Sequence, residues 1–130
     1  MTHTLISSGS PLEHSLGYSR GVATDPYIFI SGCTGSGPDG NIMYPDDAYQ
    51  HTLFVLQKLE RALVQAGAAL THVVRTRVYL TRDQDWDDIC RAHGEVFGDI
   101  RPASTMVQVV RLLKPGLLVE IEAVAINPQV

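Results

Sequence analysis

Two carboxylates interrupt an apolar segment near the end of this 130-residue chain, and carboxylates can accept and return protons. Residues 117–126 alternate between the two faces of a predicted strand. One face is wholly apolar and suits a helix layer: Leu117, Val119, Ile121, Ala123 and Ala125. The opposite face mixes acidic and apolar residues: Leu118, Glu120, Glu122, Val124 and Ile126. That mixture predicts a face that meets another subunit and leaves a crevice in which a glutamate finds a partner.

A second predicted strand, residues 73–80, supplies positive charge. Its alternation places three polar side chains on one face, Arg75, Arg77 and Tyr79, with Val74, Val78 and Leu80 opposite. If the two strands are neighbours, Arg75 and Arg77 are natural ion-pair partners for the glutamates. Such pairs could hold an interface together or form part of a functional site, and both interpretations stay open.

Other chemistries find little support in the sequence. The histidines at positions 3, 14, 51, 72 and 93 lack metal-ligand spacing, so no metal site is predicted, and His93 is expected at a surface or an interface. Cys33 and Cys90 form no CxxC pair and are expected to be free thiols. The glycines of residues 32–40 lack the Gly-Lys-Ser/Thr ending of a phosphate-binding loop.

Composition bounds the class of protein. The chain is 45% hydrophobic and 18% charged, which predicts one globular domain over residues 1–130. Its net charge of -4 argues against nonspecific nucleic-acid binding, which needs a basic surface. It has no apolar run of about 18 residues that could span a membrane. The first ten residues lack the features of a signal peptide, so a cytoplasmic location is expected.

The order of predicted elements defines an α+β fold. Strands are predicted at residues 3–7, 18–23 and 27–31, the third ending at Ser31-Gly32. A helix then begins with Asp46 as its N-cap and ends at Gly67. Strand 73–80, helix 83–97 and strands 104–110 and 117–126 follow, with a turn at residues 114–116. The order βββ-α-β-α-ββ predicts two layers, a mixed sheet with two helices on one face.

Several segments together resemble the RidA/YjgF family, also labelled endoribonuclease L-PSP or translation inhibitor. They are Gly17-Tyr18, Ile30-Ser31-Gly32, residues 73–80, Ile100-Arg101-Pro102-Ala103, residues 107–112 and residues 119–123. The resemblance implies a chorismate-mutase-like fold and a homotrimer with ligand clefts between subunits. It also implies hydrolysis of reactive imines and enamines to 2-keto acids and ammonia, without a metal or an organic cofactor.

The resemblance also implies roles for individual residues. Tyr18, Ser31 and Gly32 would line the cleft, and Glu120 would position the attacking water. Cys90 stands where the family has an asparagine, and Met106 where a cysteine is common, with Thr105 beside it. Ser104 replaces the arginine that holds the substrate carboxylate. That loss costs on the order of 2–4 kcal/mol of carboxylate affinity unless Arg77 or Arg20 replaces the missing cation.

Four functions are therefore compatible with the sequence. The first is a homotrimer that binds a small metabolite and deaminates an imine or enamine, with Glu120 and Tyr18 in its favour. The second is a noncatalytic metabolite-binding or regulatory trimer, favoured by Ser104. The third is a ribonuclease, which the acidic composition disfavours. The fourth is a lyase or hydrolase for a substrate that lacks the usual carboxylate.

Overall fold

The computed structural model describes residues 3–129. The strands in this range form one six-stranded mixed sheet. Its strands are β1 (Thr4–Ile6), β2 (Gly21–Thr24), β3 (Tyr27–Thr34), β4 (Val73–Leu80), β5 (Ala103–Gln108) and β6 (Val119–Ile126). Their spatial order is β1-β2-β3-β6-β4-β5. Only the β4–β5 pair is parallel. The predicted α+β fold is confirmed, and β6 lies next to β4 as the proposed ion pairs require.

Three helices complete the described part of the chain: α1 (Leu12–Leu16), α2 (Ala48–Gln65) and α3 (Trp86–Phe97). Single 3₁₀ turns at Leu70–His72 and Asp83–Asp85 precede β4 and α3. The long helices α2 and α3 pack together on one face of the sheet, where Leu59 and Leu63 join Ile121 in a buried core. Neither of these two long helices lies on the other face, which is called the open face below. No helix among residues 3–129 is long and apolar enough to cross a membrane.

The amino-terminal third differs most from the prediction. Helix α1 was not predicted, since five residues are too few to show helical periodicity. Because this helix takes up residues 12–16, β2 begins at Gly21 rather than at Tyr18. Strand β3 does not end at Ser31-Gly32 but passes through a bulge there and continues to Thr34.

Helix α2 begins one residue later than predicted. The N-cap is Asp47, whose carboxylate accepts a hydrogen bond from the backbone N–H of Gln50 at 3.0 Å. Asp46 instead has a positive φ of 63° and pairs with Arg82 at 3.0 Å. The predicted C-terminal stop is confirmed, because Gly67 adopts the left-handed conformation with a φ of 84°.

The predicted faces of β6 are confirmed from Val119 to Ala125, where apolar residues are buried and the glutamates lie on the open face. Leu118 is an exception, because it precedes the strand and is buried. On β4, Val74 is exposed instead of facing the helices. A register shift between Val73 and Arg75 explains this, and it leaves Val73 and Thr76 as the buried residues.

Candidate functional site

The bulge of β3 forms a wall built largely from main-chain atoms. The Ser31 hydroxyl donates to the carbonyl of Ser19 at 2.7 Å, and the Ser31 N–H donates to the carbonyl of Arg20 at 2.9 Å. The carbonyl of Gly32 accepts a hydrogen bond from Arg20 Nη2 at 2.8 Å. These bonds join the start of β2 to the bulge, so residues 18–20 and 31–32 share one location.

The Glu120 side chain lies directly against Gly32. A Cβ atom on Gly32 would stand 2.8 Å from Glu120 Cγ and closer still to the carboxylate, so the contact requires glycine. Within residues 3–129, no side chain or N–H group donates a hydrogen bond to this carboxylate. Burial raises the pKa of Glu120, the nearby charges of Arg20 and Lys58 lower it, and Glu122 raises it. The half-buried carboxylate is therefore available to a ligand or a water molecule.

Of the positive charges around Glu120, Arg20 lowers the pKa of its carboxyl group most. Its guanidinium carbon lies 5.6 Å from the centre of the Tyr18 ring, within the range of a cation–π contact. Its Nε atom is buried and has no hydrogen-bond partner among the described residues. Tyr18, Arg20, Ser31, Gly32 and Glu120 thus form one group, called the Glu120 cluster.

A second group lies between β4, β5 and α3. Thr76 Oγ1 donates to Ser104 Oγ at 2.8 Å and stands 2.9 Å from His93 Nε2. Beside them, Cys90 Sγ lies 3.8 Å from Met106 Sδ. Thr76, Cys90, His93, Ser104 and Met106 form what is called the Ser104 cluster. No motif in the sequence indicates a partner for His93, because its contact with Thr76 joins residues 17 positions apart.

Two pKa shifts describe the electrostatics of the Ser104 cluster. Burial lowers the pKa of His93, so the imidazole is neutral at neutral pH. Burial, followed by the negative charge of Asp87, raises the pKa of the Cys90 thiol. The Cys90 thiol is therefore protonated at neutral pH.

The remaining predicted residues lie on the open face between the clusters. Arg77 pairs with Glu122 at 3.6 Å, and the Tyr79 hydroxyl donates to the same carboxylate. Arg75 Nη2 donates to Thr105 Oγ1 at 2.8 Å instead of pairing with a glutamate. The predicted ion pair is confirmed for Arg77 and wrong for Arg75.

The sheet separates the two clusters within one chain. Glu120 is opposite Tyr79 in the β6–β4 register, and both side chains lie on the open face. Ser104 is opposite Thr76, which is completely buried toward the helices. Because aligned residues of adjacent strands share a face, Glu120 and Ser104 lie on opposite sides of the sheet. One chain alone does not bring all the predicted cleft residues together.

Comparison with known proteins assigns this fold to a family. The family model described as Endoribonuclease L-PSP matches residues 9–127. The chain belongs to the RidA/YjgF family. A RutC family protein of Pyrococcus abyssi is 32% identical over 108 residues, 83% of this chain and 84% of the relative. An uncharacterised protein of Streptomyces coelicolor is 33% identical over 121 residues, 92% of this chain and 89% of the relative.

Solved structures of RidA/YjgF proteins agree with this assignment. A Mycobacterium tuberculosis protein, described as a member of the highly conserved YjgF/YER057c/UK114 family, is 46% identical with a TM-score of 0.86. That match covers 96% of this chain and 99% of the other. Escherichia coli TdcF, solved with bound serine, is 26% identical with a TM-score of 0.78, covering 95% of this chain and 93% of TdcF.

In this RidA/YjgF chain, both arginines that could replace the missing cation already contact other groups. Arg77 is engaged with Glu122 on the open face. Arg20 is engaged with the Gly32 carbonyl and stacks toward Tyr18. The position predicted for the substrate-binding arginine carries Ser104, whose hydroxyl is bonded to Thr76.

Proposed function

We propose that this protein hydrolyses an imine or enamine of a small metabolite to a carbonyl compound and ammonia, with Glu120 as the catalytic base. The observation that carries the proposal is the half-buried Glu120 carboxylate, which no group of residues 3–129 engages by hydrogen bonding. A general base works best when its pKa approaches the working pH, and burial moves the pKa of Glu120 in that direction. Ionisable groups shifted by burial in a cleft are typical of catalytic sites.

The reaction needs only proton transfers at one carboxylate. Water adds to the carbon of the protonated imine while its proton passes to Glu120. The resulting carbinolamine takes that proton back on nitrogen. The C–N bond then breaks while the hydroxyl proton passes to Glu120, and the released ammonia takes up this proton, which leaves the carbonyl compound and an ammonium ion. Arg20 acts as a positioning residue, because its charge opposes the effect of burial and keeps part of Glu120 ionised.

An assay of imine lifetime tests the reaction. An amino-acid oxidase would generate 2-imino acids in place, and an amine oxidase would generate imines without a carboxylate. We expect the protein to shorten the lifetime of at least one imine class by tenfold or more over buffer. No acceleration of either class would overturn the proposed reaction and favour the noncatalytic binding function.

The proposal includes a homotrimer in which each cleft takes the Glu120 cluster from one subunit and the Ser104 cluster from the next. Two features support it. The clusters lie on opposite faces of one chain, and the open face exposes large apolar side chains. These include Tyr27, Phe29 and Ile126. An exposed apolar patch of this kind is typical of a protein–protein interface.

Native mass spectrometry tests the assembly. We expect a species of three times the 14.2 kDa chain mass. Phe29→Asp, which buries a charge in the interface, should convert most of it to monomer at micromolar concentration. Val64→Asp on the exposed side of α2 is the matched control and should leave the trimer intact. A wild-type monomer, or a Phe29→Asp trimer of undiminished stability, would contradict the shared cleft.

A further inference from the structure

The Ser104 cluster contains a hydrogen-bonded chain of three side chains, which runs from a half-buried histidine through the protein interior to an accessible group. His93 is at one end, the fully buried Thr76 is in the middle, and Ser104, on an exposed stretch of β5, is at the other end. The two links measure 2.9 Å and 2.8 Å, ordinary hydrogen-bond lengths. The chain crosses three elements, so it exists only in the folded protein.

We propose that this chain makes Ser104 a recognition site for an uncharged polar group of the ligand, such as a carbonyl, an amide or a hydroxyl. The proposal rests on the intersubunit cleft of the proposed function. It concerns which ligand enters that cleft and is independent of the proton transfers at Glu120.

Each member of the chain can both donate and accept. If His93 Nε2 carries a hydrogen, it donates to Thr76, Thr76 donates to Ser104, and the Ser104 hydroxyl hydrogen is free for a ligand acceptor. The Ser104 oxygen also keeps a lone pair, with which it can accept from a ligand donor. The buried links fix the position of the Ser104 oxygen in both cases, so a neutral group meets a preorganised partner.

A ligand carboxylate has no positively charged partner in these hydrogen-bonded side chains. Burial keeps His93 neutral, so the chain carries no positive charge. The pKa of Cys90 is raised by burial and, to a lesser extent, by the carboxylate of Asp87, so a negative charge acts on this cluster. A second anion would be repelled by Asp87 and would lack the charge-assisted pair of hydrogen bonds that carboxylate sites use.

Two probes that differ in a single group test this inference: 2-oxobutanamide and 2-oxobutanoate. Their binding to the intact protein would be measured by ligand-observed NMR titration. We expect wild type to bind the amide at least tenfold more tightly than the carboxylate. Ser104→Arg should reverse that preference, because it introduces a guanidinium at the same place.

Thr76 variants distinguish the contribution of the hydrogen-bonded chain from that of the Ser104 hydroxyl alone. Thr76→Val keeps the shape of the side chain but removes both links, and we expect amide affinity to fall about tenfold. Thr76→Ser keeps the hydroxyl and should stay within twofold of wild type. Thermal unfolding would verify that each variant is folded, and Ser104→Arg, at an exposed position, tests the idea even if Thr76→Val fails to fold.

The outcomes distinguish this inference from the proposed reaction. A wild-type preference for the carboxylate, binding of neither probe at millimolar concentration, or an unchanged amide affinity in folded Thr76→Val would each overturn it. Amide binding with the expected variant pattern, but no hydrolysis of any imine, would leave the recognition site intact and remove the reaction. Imine hydrolysis with a carboxylate preference would do the reverse.

Discussion

Gly35→Ala is expected to destabilise the protein by at least about 2 kcal/mol, because it overpacks a rigid part of the core. An added Cβ would lie within 2.8 Å of His51 Nδ1 and closer still to two other ring atoms. The His51 ring is completely buried and accepts a hydrogen bond from the Leu118 N–H at 3.3 Å. It therefore has no room to move away, and the backbone would have to shift instead.

Urea unfolding at equal protomer concentration would measure this effect. Gly94→Ala is the matched control, since an added Cβ on that residue of α3 meets nothing within 4 Å. There the change should stabilise the helix by about 0.5–1 kcal/mol, the usual gain of alanine over glycine. Equal stability of the two variants would show that the His51 ring is not fixed as described.

Glu120→Gln is expected to lower imine hydrolysis by about 100-fold or more, the usual contribution of a general base. The amide keeps the size of the side chain but cannot take the proton from water. Glu122→Gln is the matched control, because Glu122 is already held by Tyr79 and Arg77 on the same strand face. It should retain activity within a few fold. Equal losses in both variants would remove Glu120 as the base.

Glu120→Gln should also increase the stability of the folded protein at neutral pH. Burial raises the folded-state pKa of Glu120, so ionisation of this group opposes folding. The stability that its protonated form contributes is present below the unfolded value of 4.5 and is lost as pH rises through the folded value. The advantage of Glu120→Gln over wild type should therefore be small near pH 4 and grow toward pH 7. Chemical unfolding at several pH values would measure this difference.

Arg20→Met extends this test to the positioning residue. Removing the positive charge should raise the pKa of Glu120 further, because Arg20 is the charge that lowers this pKa most. The acid limb of the rate–pH profile should move to higher pH. Arg77→Met, which removes a guanidinium paired with Glu122, should leave the limb in place. An unmoved limb in Arg20→Met would mean that Glu120 does not set it.

The regular parts of the fold were predictable because their residues obey simple periodicities. The sequence predicts strand β4 with its observed bounds, since polar residues follow a run rich in β-branched residues. Helix α2 was misplaced by one residue, because Asp46 and Asp47 have equal capping propensity and only the fold assigns Arg82 to Asp46. The pattern at Ser31-Gly32 predicts a strand end where the structure has a bulge, because glycine is typical of both.

The candidate site was predictable only in part. Alternation placed Glu120 on the open face, and the family resemblance placed Tyr18, Ser31 and Gly32 near it. The link between Thr76 and Ser104 could not be predicted, because it depends on the parallel register of β4 and β5. The position of Val74 was wrong for a related reason, since one register shift reverses the faces of a strand.

The bulge in β3 also bears on how such a protein can evolve. Glu120 rests on main-chain atoms of Gly32, whereas Ser104 lies on β5, an edge strand whose side chains are mostly exposed. Mutations on the edge strand can therefore alter ligand preference while leaving the carboxylate in place. Under the proposed function, selection can change the bound metabolite through one strand while the catalytic base stays on another.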